Sequence, residues 1–353
     1  GSRFFMAGVD ALKAALGQDD DGLPRRCSTA HMCESADKHT PVSDRATTPN
    51  GSGAATPSSA GAVESSPCVA DDLEADGVRA DVACAQLVTS AAELATDATG
   101  STMLCRAMDV GGTKAVLGIA ARLAGSVCKL SRSPHACRVL GKLLSSTDAE
   151  ISASIALELC AKAPQAVANV HGNAVVCKLL ECFADAPSTQ ALIDCVLVGD
   201  TASLCRHKFG HCVAMAIVTY GVPRQRRIVM QALIGDLQRL ARHRFASSVT
   251  VRAVQRRAAD GCDLLQAQLL YQLLVPPGVV VGLACHNFGV NVVKALIEQS
   301  PCRNQVVQLL SKATNRIMKD KFGKAMLREV GLVEWTGRPG PAPLSCQAAW
   351  SGA

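Results

Sequence analysis

Lys208-Phe209-Gly210-His211-Cys212-Val213 and Asn287-Phe288-Gly289-Val290-Asn291-Val292 share one shape: a polar residue, a phenylalanine, a glycine, two variable positions and a valine. Arg244-Phe245-Ala246-Ser247-Ser248-Val249 repeats it with alanine for glycine, and Lys321-Phe322-Gly323-Lys324-Ala325-Met326 closes the series. Upstream, His171-Gly172-Asn173-Ala174-Val175-Val176 and Pro134-His135-Ala136-Cys137-Arg138-Val139 have the same form without the phenylalanine. Counting from the residue after each Gly or Ala gives marks at 137, 173, 211, 247, 290 and 324, in steps of 36, 38, 36, 43 and 34. A period of this size is the signature of a helical solenoid, in which each unit buries its apolar face only by stacking on its neighbours.

Within each unit an amphipathic helix is expected about 20 residues before the mark and a second helix at it. The small residue permits close backbone approach at the turn between them. Ile151–Ala161 and Gln225–Arg242 carry apolar residues at three- and four-residue spacings, as do Val175–Leu180 and Val292–Ile297. The longest step contains Pro276-Pro277-Gly278, which reads as a loop insertion that leaves the flanking helices in phase. No alternating run argues for a sheet.

Composition agrees with packed helices. Hydrophobic residues make up 48% of 353 positions but aromatics only 3%. Such a core, rich in Ala, Val and Leu, suits closely packed helices better than a sandwich or barrel. No stretch reaches the ~18 apolar residues of a membrane span. The 17 cysteines include no Cys-x-x-Cys pair, and several (Cys160, Cys177, Cys195, Cys212) sit inside apolar helical patterns. They read as small buried apolar residues rather than a disulfide framework.

Three regions follow. Residues 1–75 form an arm expected to be disordered, because Thr40–Pro67 is a run of small polar residues carrying four Ser/Thr-Pro pairs, too poor in apolar surface to offset its ordering entropy. One short helix is expected ahead of it, over Val9–Leu16. Residues 76–335 are the repeat domain and 336–353 a tail. Charge divides along the chain: residues 201–330 carry 19 Lys/Arg against 6 Asp/Glu, and residues 1–150 carry 14 against 18. A basic second half implies an anionic partner.

The repeated segments resemble the Pumilio (PUF) family of RNA-binding repeats over roughly residues 110–331, and residues 76–110 are left open to further, degenerate units. The resemblance implies an all-α, right-handed α-solenoid of about six to eight repeats, whose second helices line a concave face. In that family the first, second and fifth residues after the small one face an RNA base: two contact its edge and the middle one stacks on it. Carried over, the first positions are Cys137, Asn173, His211, Ser247, Val290 and Lys324. The second are Arg138, Ala174, Cys212, Ser248, Asn291 and Ala325, and the fifth are Gly141, Cys177, Met215, Val251, Lys294 and Arg328. The fifth positions hold neither the Gln nor the Glu that the family places there. Weaker base discrimination is therefore expected, at about 1–3 kcal/mol per lost contact. Lys142, Lys178, Arg252, Arg256, Lys294, Lys324 and Arg328 are candidates for phosphate contact on the inner helices; Arg224, Arg226, Arg227, Arg242 and Arg244 lie on other segments.

The implied function is binding of single-stranded RNA, in 3′ untranslated regions of messenger RNA, to control translation or stability. The implied setting is a cytoplasmic monomer with regulatory proteins on its convex face. Two alternatives stand: a nucleolar ribosome-assembly factor of low sequence specificity, and an armadillo- or HEAT-type protein scaffold. No cofactor, metal or catalytic residue is expected. His207-x-x-x-His211 lacks a third ligand, Val110-Gly111-Gly112-Thr113-Lys114 falls short of a phosphate loop and has no strand before it, and no nucleophile has a recognisable catalytic setting.

Overall fold

A computed structural model describes residue 73, residues 77–256 and residues 263–333. The expected disordered arm (all but Leu73), the Val9–Leu16 helix, the Ser/Thr-Pro pairs and the tail lie outside the described residues. Within them every regular element is a helix, and the helices fall into seven units.

Each unit is a long first helix, a short second helix and a long third helix. Unit 1 is α1 (Val78–Thr89), α2 (Ala91–Leu94) and α3 (Ala98–Val110). Unit 2 is α4 (Gly112–Leu123), α5 (Val127–Leu130) and α6 (Ala136–Ser146). Unit 3 is α7 (Ala149–Cys160), α8 (Ala163–Ala168) and α9 (Gly172–Phe183). Unit 4 is α10 (Pro187–Leu197), α11 (Thr201–Arg206) and α12 (Gly210–Tyr220). Unit 5 is α13 (Pro223–Gly235), α14 (Leu237–Leu240) and α15 (Ala246–Gln255). Unit 6 is α16 (Asp263–Leu274), α17 (Val279–Ala284) and α18 (Gly289–Glu298). Unit 7 is α19 (Ser300–Lys312), α20 (Thr314–Ile317) and α21 (Lys321–Glu329).

The expected α-solenoid is observed, with seven units, within the expected six to eight, and with one correction. Units contain three helices rather than two: the periodic run Gln225–Arg242 breaks at Asp236, whose φ of −140° and ψ of 42° are not helical. A seventh unit lies upstream, where Gly100-Ser101 repeats the mark 36 residues before Cys137. Val110–Lys114 spans the junction of α3 and α4 at Gly111, with Gly112 at a φ of 54°.

Consecutive third helices pack on one another from α3 through α21, and first helices pack as α1 on α4, α7 on α10, α10 on α13 and α13 on α16. A single continuous core runs between the two layers, through Leu104, Leu140, Leu179, Ile217, Val249 and Leu296.

The small residue does what the sequence implies. A Cβ on Gly172 would stand 2.5 Å from the Ala166 carbonyl oxygen, and one on Gly100 2.5 Å from that of Leu94. The same six-residue step separates Gly210 from Leu204 (3.0 Å), Gly289 from Leu283 (2.7 Å) and Gly323 from Ile317 (2.8 Å). The third helix thus crosses the second at backbone contact, a distance a larger side chain cannot share.

The residue three before the small one completes the turn in every unit. Asp97, Ser133, Asn169, His207, His243, His286 and Asp320 each accept a hydrogen bond from the N–H of the small residue, at 2.7–3.4 Å. These bonds satisfy donors that a helix start leaves unpaired. The three histidines accept through Nδ1, so their ring proton sits on Nε2.

The expectation that Pro276-Pro277-Gly278 accounts for the long step holds only in part. The small residue follows the first-helix start by 23 residues in units 3, 4, 5 and 7 and by 26 in unit 6, where Val275–Gly278 bridges α16 and α17.

Candidate nucleic-acid interface

The solvent-facing stripe of each third helix follows from helical geometry. With the small residue and the Val/Ile/Leu positions buried, what remains open recurs at three- and four-residue steps. In α12 the half-buried positions before the last residue, Tyr220, are His211, Cys212, Met215 and Thr219, and in α9 those before the last residue, Phe183, are Ala174, Cys177, Lys178 and Glu181. The stripe therefore contains the second and fifth positions, as the resemblance implies, and a ninth position that sequence reasoning missed. Stacked side by side, the third helices bring these rows together on one face.

Three of the six first positions lie deeper than the second and fifth rows. Asn173, Ser247 and Val290 are buried, with Cys137, His211 and Lys324 half-buried. Asn173 is 3% exposed, and its amide donates to the Asn169 and Val170 carbonyl oxygens at 2.8 Å each. Its side chain stitches the turn together and has no free edge to offer. Cys137 donates its thiol to the Pro134 carbonyl at 3.2 Å. The His211 ring stacks on Phe245 of the next unit, with ring centroids 5.2 Å apart and an interplanar angle of 27°. Burial lowers its pKa, outweighing the hydrogen bonds its ring makes to neighbouring backbone carbonyls, which act to raise it.

The second and fifth rows are open but chemically uneven. Through units 3 to 5 they read Ala174, Cys177, Cys212, Met215, Ser248 and Val251, all half-buried and none charged. Polar reach is concentrated at the ends of the array. Arg138 of unit 2 is exposed and donates to Ser101 Oγ at 3.1 Å and Thr102 Oγ1 at 2.6 Å in unit 1. In units 6 and 7, Asn291 and Arg328 are exposed and Lys294 half-buried.

Acidic side chains that sequence reasoning overlooked offset three of the lysines proposed for phosphate contact. Lys142 pairs with Asp109 of the preceding unit, Lys178 with Glu181 at 3.2 Å, and Lys294 with Glu329 of the next unit at 2.6 Å. Asp109 and Glu181 occupy the ninth row, as does Glu298, which accepts from Gln255 Nε2 at 3.0 Å. Exposed pairs such as Lys294–Glu329 are weak and exchange readily for another anion. The Lys178/Glu181 spacing of three within a helical run was the available signal.

Of the other candidates, Arg252 is half-buried on α15. Arg224 pairs with Asp194, Arg226 is 8% exposed, and Arg227 is exposed on α13. Arg242 donates to the Gln238 carbonyl at 3.4 Å, and Arg244 lies over the Phe245 ring. His207 is taken up by its cap, and among the described residues no His/Cys/Asp/Glu group is arranged to hold a metal ion. The thiols divide: Cys84, Cys205 and Cys302 are buried, and burial pushes Cys205 up to about 12. Cys160, Cys177 and Cys212 are only half-buried and Cys195 is exposed, which corrects the reading of all four as core residues.

No family model matches this sequence, and no curated protein matches it. Solved structures do. The Puf3 RNA binding domain bound to a Cox17 RNA 3′ UTR recognition sequence superposes with a TM-score of 0.66 at 18% identity, covering 76% of this chain and 80% of that one. The fold is that of a PUF repeat domain. PUF-8 in complex with PBE-RNA gives a TM-score of 0.66 at 17% identity over 74% of this chain and 77% of that one. The Puf4 RNA binding domain bound to an HO endonuclease RNA 3′ UTR recognition sequence gives 0.62 at 18% over 74% and 81%. Among the described residues no helix is long and apolar enough to cross a membrane.

Proposed function

We propose that this chain is a non-enzymatic RNA-binding protein that holds single-stranded RNA across its third-helix face with low base selectivity. The likeness to PUF domains solved with RNA bound supports the first half of this reading. The side chains of units 3 to 5 support the second. Ala174, Cys177, Met215 and Val251 offer van der Waals surface to a base but no matched donor and acceptor for its edge.

Two biological roles fit this chemistry. Control of messenger RNA through 3′ untranslated regions in the cytoplasm follows the RNA ligands of Puf3 and Puf4. A low-selectivity role in nucleolar ribosome assembly is favoured by one specific observation, the absence of edge-reading side chains in the middle units. Regulatory proteins on the first-helix face and a monomeric state belong to the same proposal.

Titration of a labelled uridine-rich strand with the full chain at two salt concentrations tests it. Binding that weakens steeply with salt is expected, because phosphate contacts release counterions. No binding at ~50 mM salt would overturn the proposal in favour of a protein scaffold. Substituting each base of the strand in turn then separates the two roles: a uniform affinity supports the low-selectivity one.

A further inference from the structure

The cations of the second half do not gather mainly on the third-helix face. Many stand on the turn between second and third helices, at one edge of the solenoid. Two positions before the small residue lie Lys208, Arg244 and Lys321, all exposed. One position before it lie Phe209, Phe245 and Phe322, half-buried. In each unit the cation sits over the ring of its neighbour, at 5.1, 5.2 and 4.7 Å from the centroid. Among the described residues no carboxylate stands within ion-pair distance of these three. Unit 6 carries Asn287 and Phe288 at the same positions, so the row continues with a neutral polar residue.

Because the units stack in register, equivalent turn positions line up along one edge. The His211–Phe245 stack ties the end of one turn to the next. Burial first, then the charges of Arg206 and Arg239, lower the His243 pKa, and these two guanidinium groups are already paired with Asp200 and Asp236. A row of like charges repels itself and is compensated by a partner with a matching row of opposite charge. The aromatic face holds each side-chain stem against the protein, so little rotamer freedom remains to be lost when the charge is met.

We propose that this turn edge, through Lys208, Arg244 and Lys321, is the phosphate track of the domain: the RNA backbone runs along it while the bases turn onto the third-helix face. The track rests on the RNA-binding reading above and explains how a face with uncharged middle rows holds a polyanion. The contacts are to phosphate oxygens and carry no sequence information.

The test is the salt dependence of oligouridine binding by the full chain and by the variant Lys208→Gln, Arg244→Gln, Lys321→Gln. Each phosphate contact on a single strand contributes about 0.7 to the slope of log affinity against log salt, so the triple variant should lose about 2. The advantage of the unsubstituted protein should then shrink about 20-fold between ~50 and ~200 mM salt. A matched variant, Arg227→Gln, Arg303→Gln, Lys312→Gln, removes three exposed cations from first helices and should keep the original slope. An unchanged slope in the turn variant, or equal losses in both, overturns the track while leaving RNA binding intact. Failure of the unsubstituted protein to bind overturns both readings.

Discussion

Asn173 and Asn169 form one unit of structure: the Asn169 side chain accepts the N–H groups of His171 and Gly172, and the Asn173 amide returns a hydrogen bond to the Asn169 carbonyl at 2.8 Å. A residue placed by register to read a base is spent on closing its own turn. Asn173→Ala is therefore expected to lower stability by about 1–3 kcal/mol, the cost of leaving buried partners unsatisfied. RNA affinity measured on the folded fraction should be unchanged. A denaturant titration alongside the RNA titration decides it, and full stability with lost affinity would return Asn173 to the reading positions.

Gly172 and Ala246 occupy equivalent sites with different room. A Cβ at Gly172 would meet the Ala166 carbonyl at 2.5 Å, so Gly172→Ala should cost about 1–3 kcal/mol through overpacking. Ala246, already fully buried at the same step, shows that a methyl fits where the turn is set for it. The shift in denaturant midpoint of the Gly172 variant is the measurement, and no shift would mean that the turn of unit 3 relaxes freely.

Acid should loosen unit 5. His243 caps its turn through Nδ1, and a protonated ring has no lone pair to accept with. Its pKa is lowered in the fold from the ordinary 6.5, so below about that pH the unfolded chain binds the proton first. Stability is then complete above this range and falls as pH drops from about 6.5 towards the lower folded value. His211, lowered chiefly by burial, adds with the same sign. Melting temperatures from pH 8 to 5 should show the fall, and His243→Asn should reduce it.

Glu329 holds Lys294 in an ion pair at 2.6 Å, so on the proposed RNA-binding reading the carboxylate and a phosphate compete for the same ammonium group. Glu329→Gln should raise affinity for single-stranded RNA and steepen its salt dependence by about 0.7. Lys294→Glu with Arg328→Glu should do the reverse. Fluorescence anisotropy at several salt concentrations tests both, and an unchanged dissociation constant in the double variant would exclude the third-helix face of units 6 and 7 from the contact.

The third helices were legible because their Gly/Ala-then-Val pattern spans several turns and recurs six times in phase. The second helices were not. Ala91–Leu94 and Leu237–Leu240 are four residues long, little more than one period, and merge with the run before them. Unit 1 stayed open in the sequence because Thr99 replaces the ring that marks later units, although Gly100 keeps the 36-residue step. The caps escaped notice for a chemical reason: Asp, Ser, Asn and His share nothing but a lone pair aimed at an N–H. Exposure within the site was the hardest part to foresee. The register placed Ser247 and Ser248 as equals, and only packing shows that the first is buried and the second open.

Unit 6 differs from its neighbours by the Val275–Gly278 bridge, where Gly278 takes a φ of 80° and restarts the chain as a helix. Because crossing and cap lie downstream of it, added length at this point is never transmitted to them. A reporter or affinity peptide spliced after the exposed Pro277 would hang from the outer margin of the array while the stacked helices kept their alignment. The array thus carries its own attachment point, set apart from the turns that hold its units together.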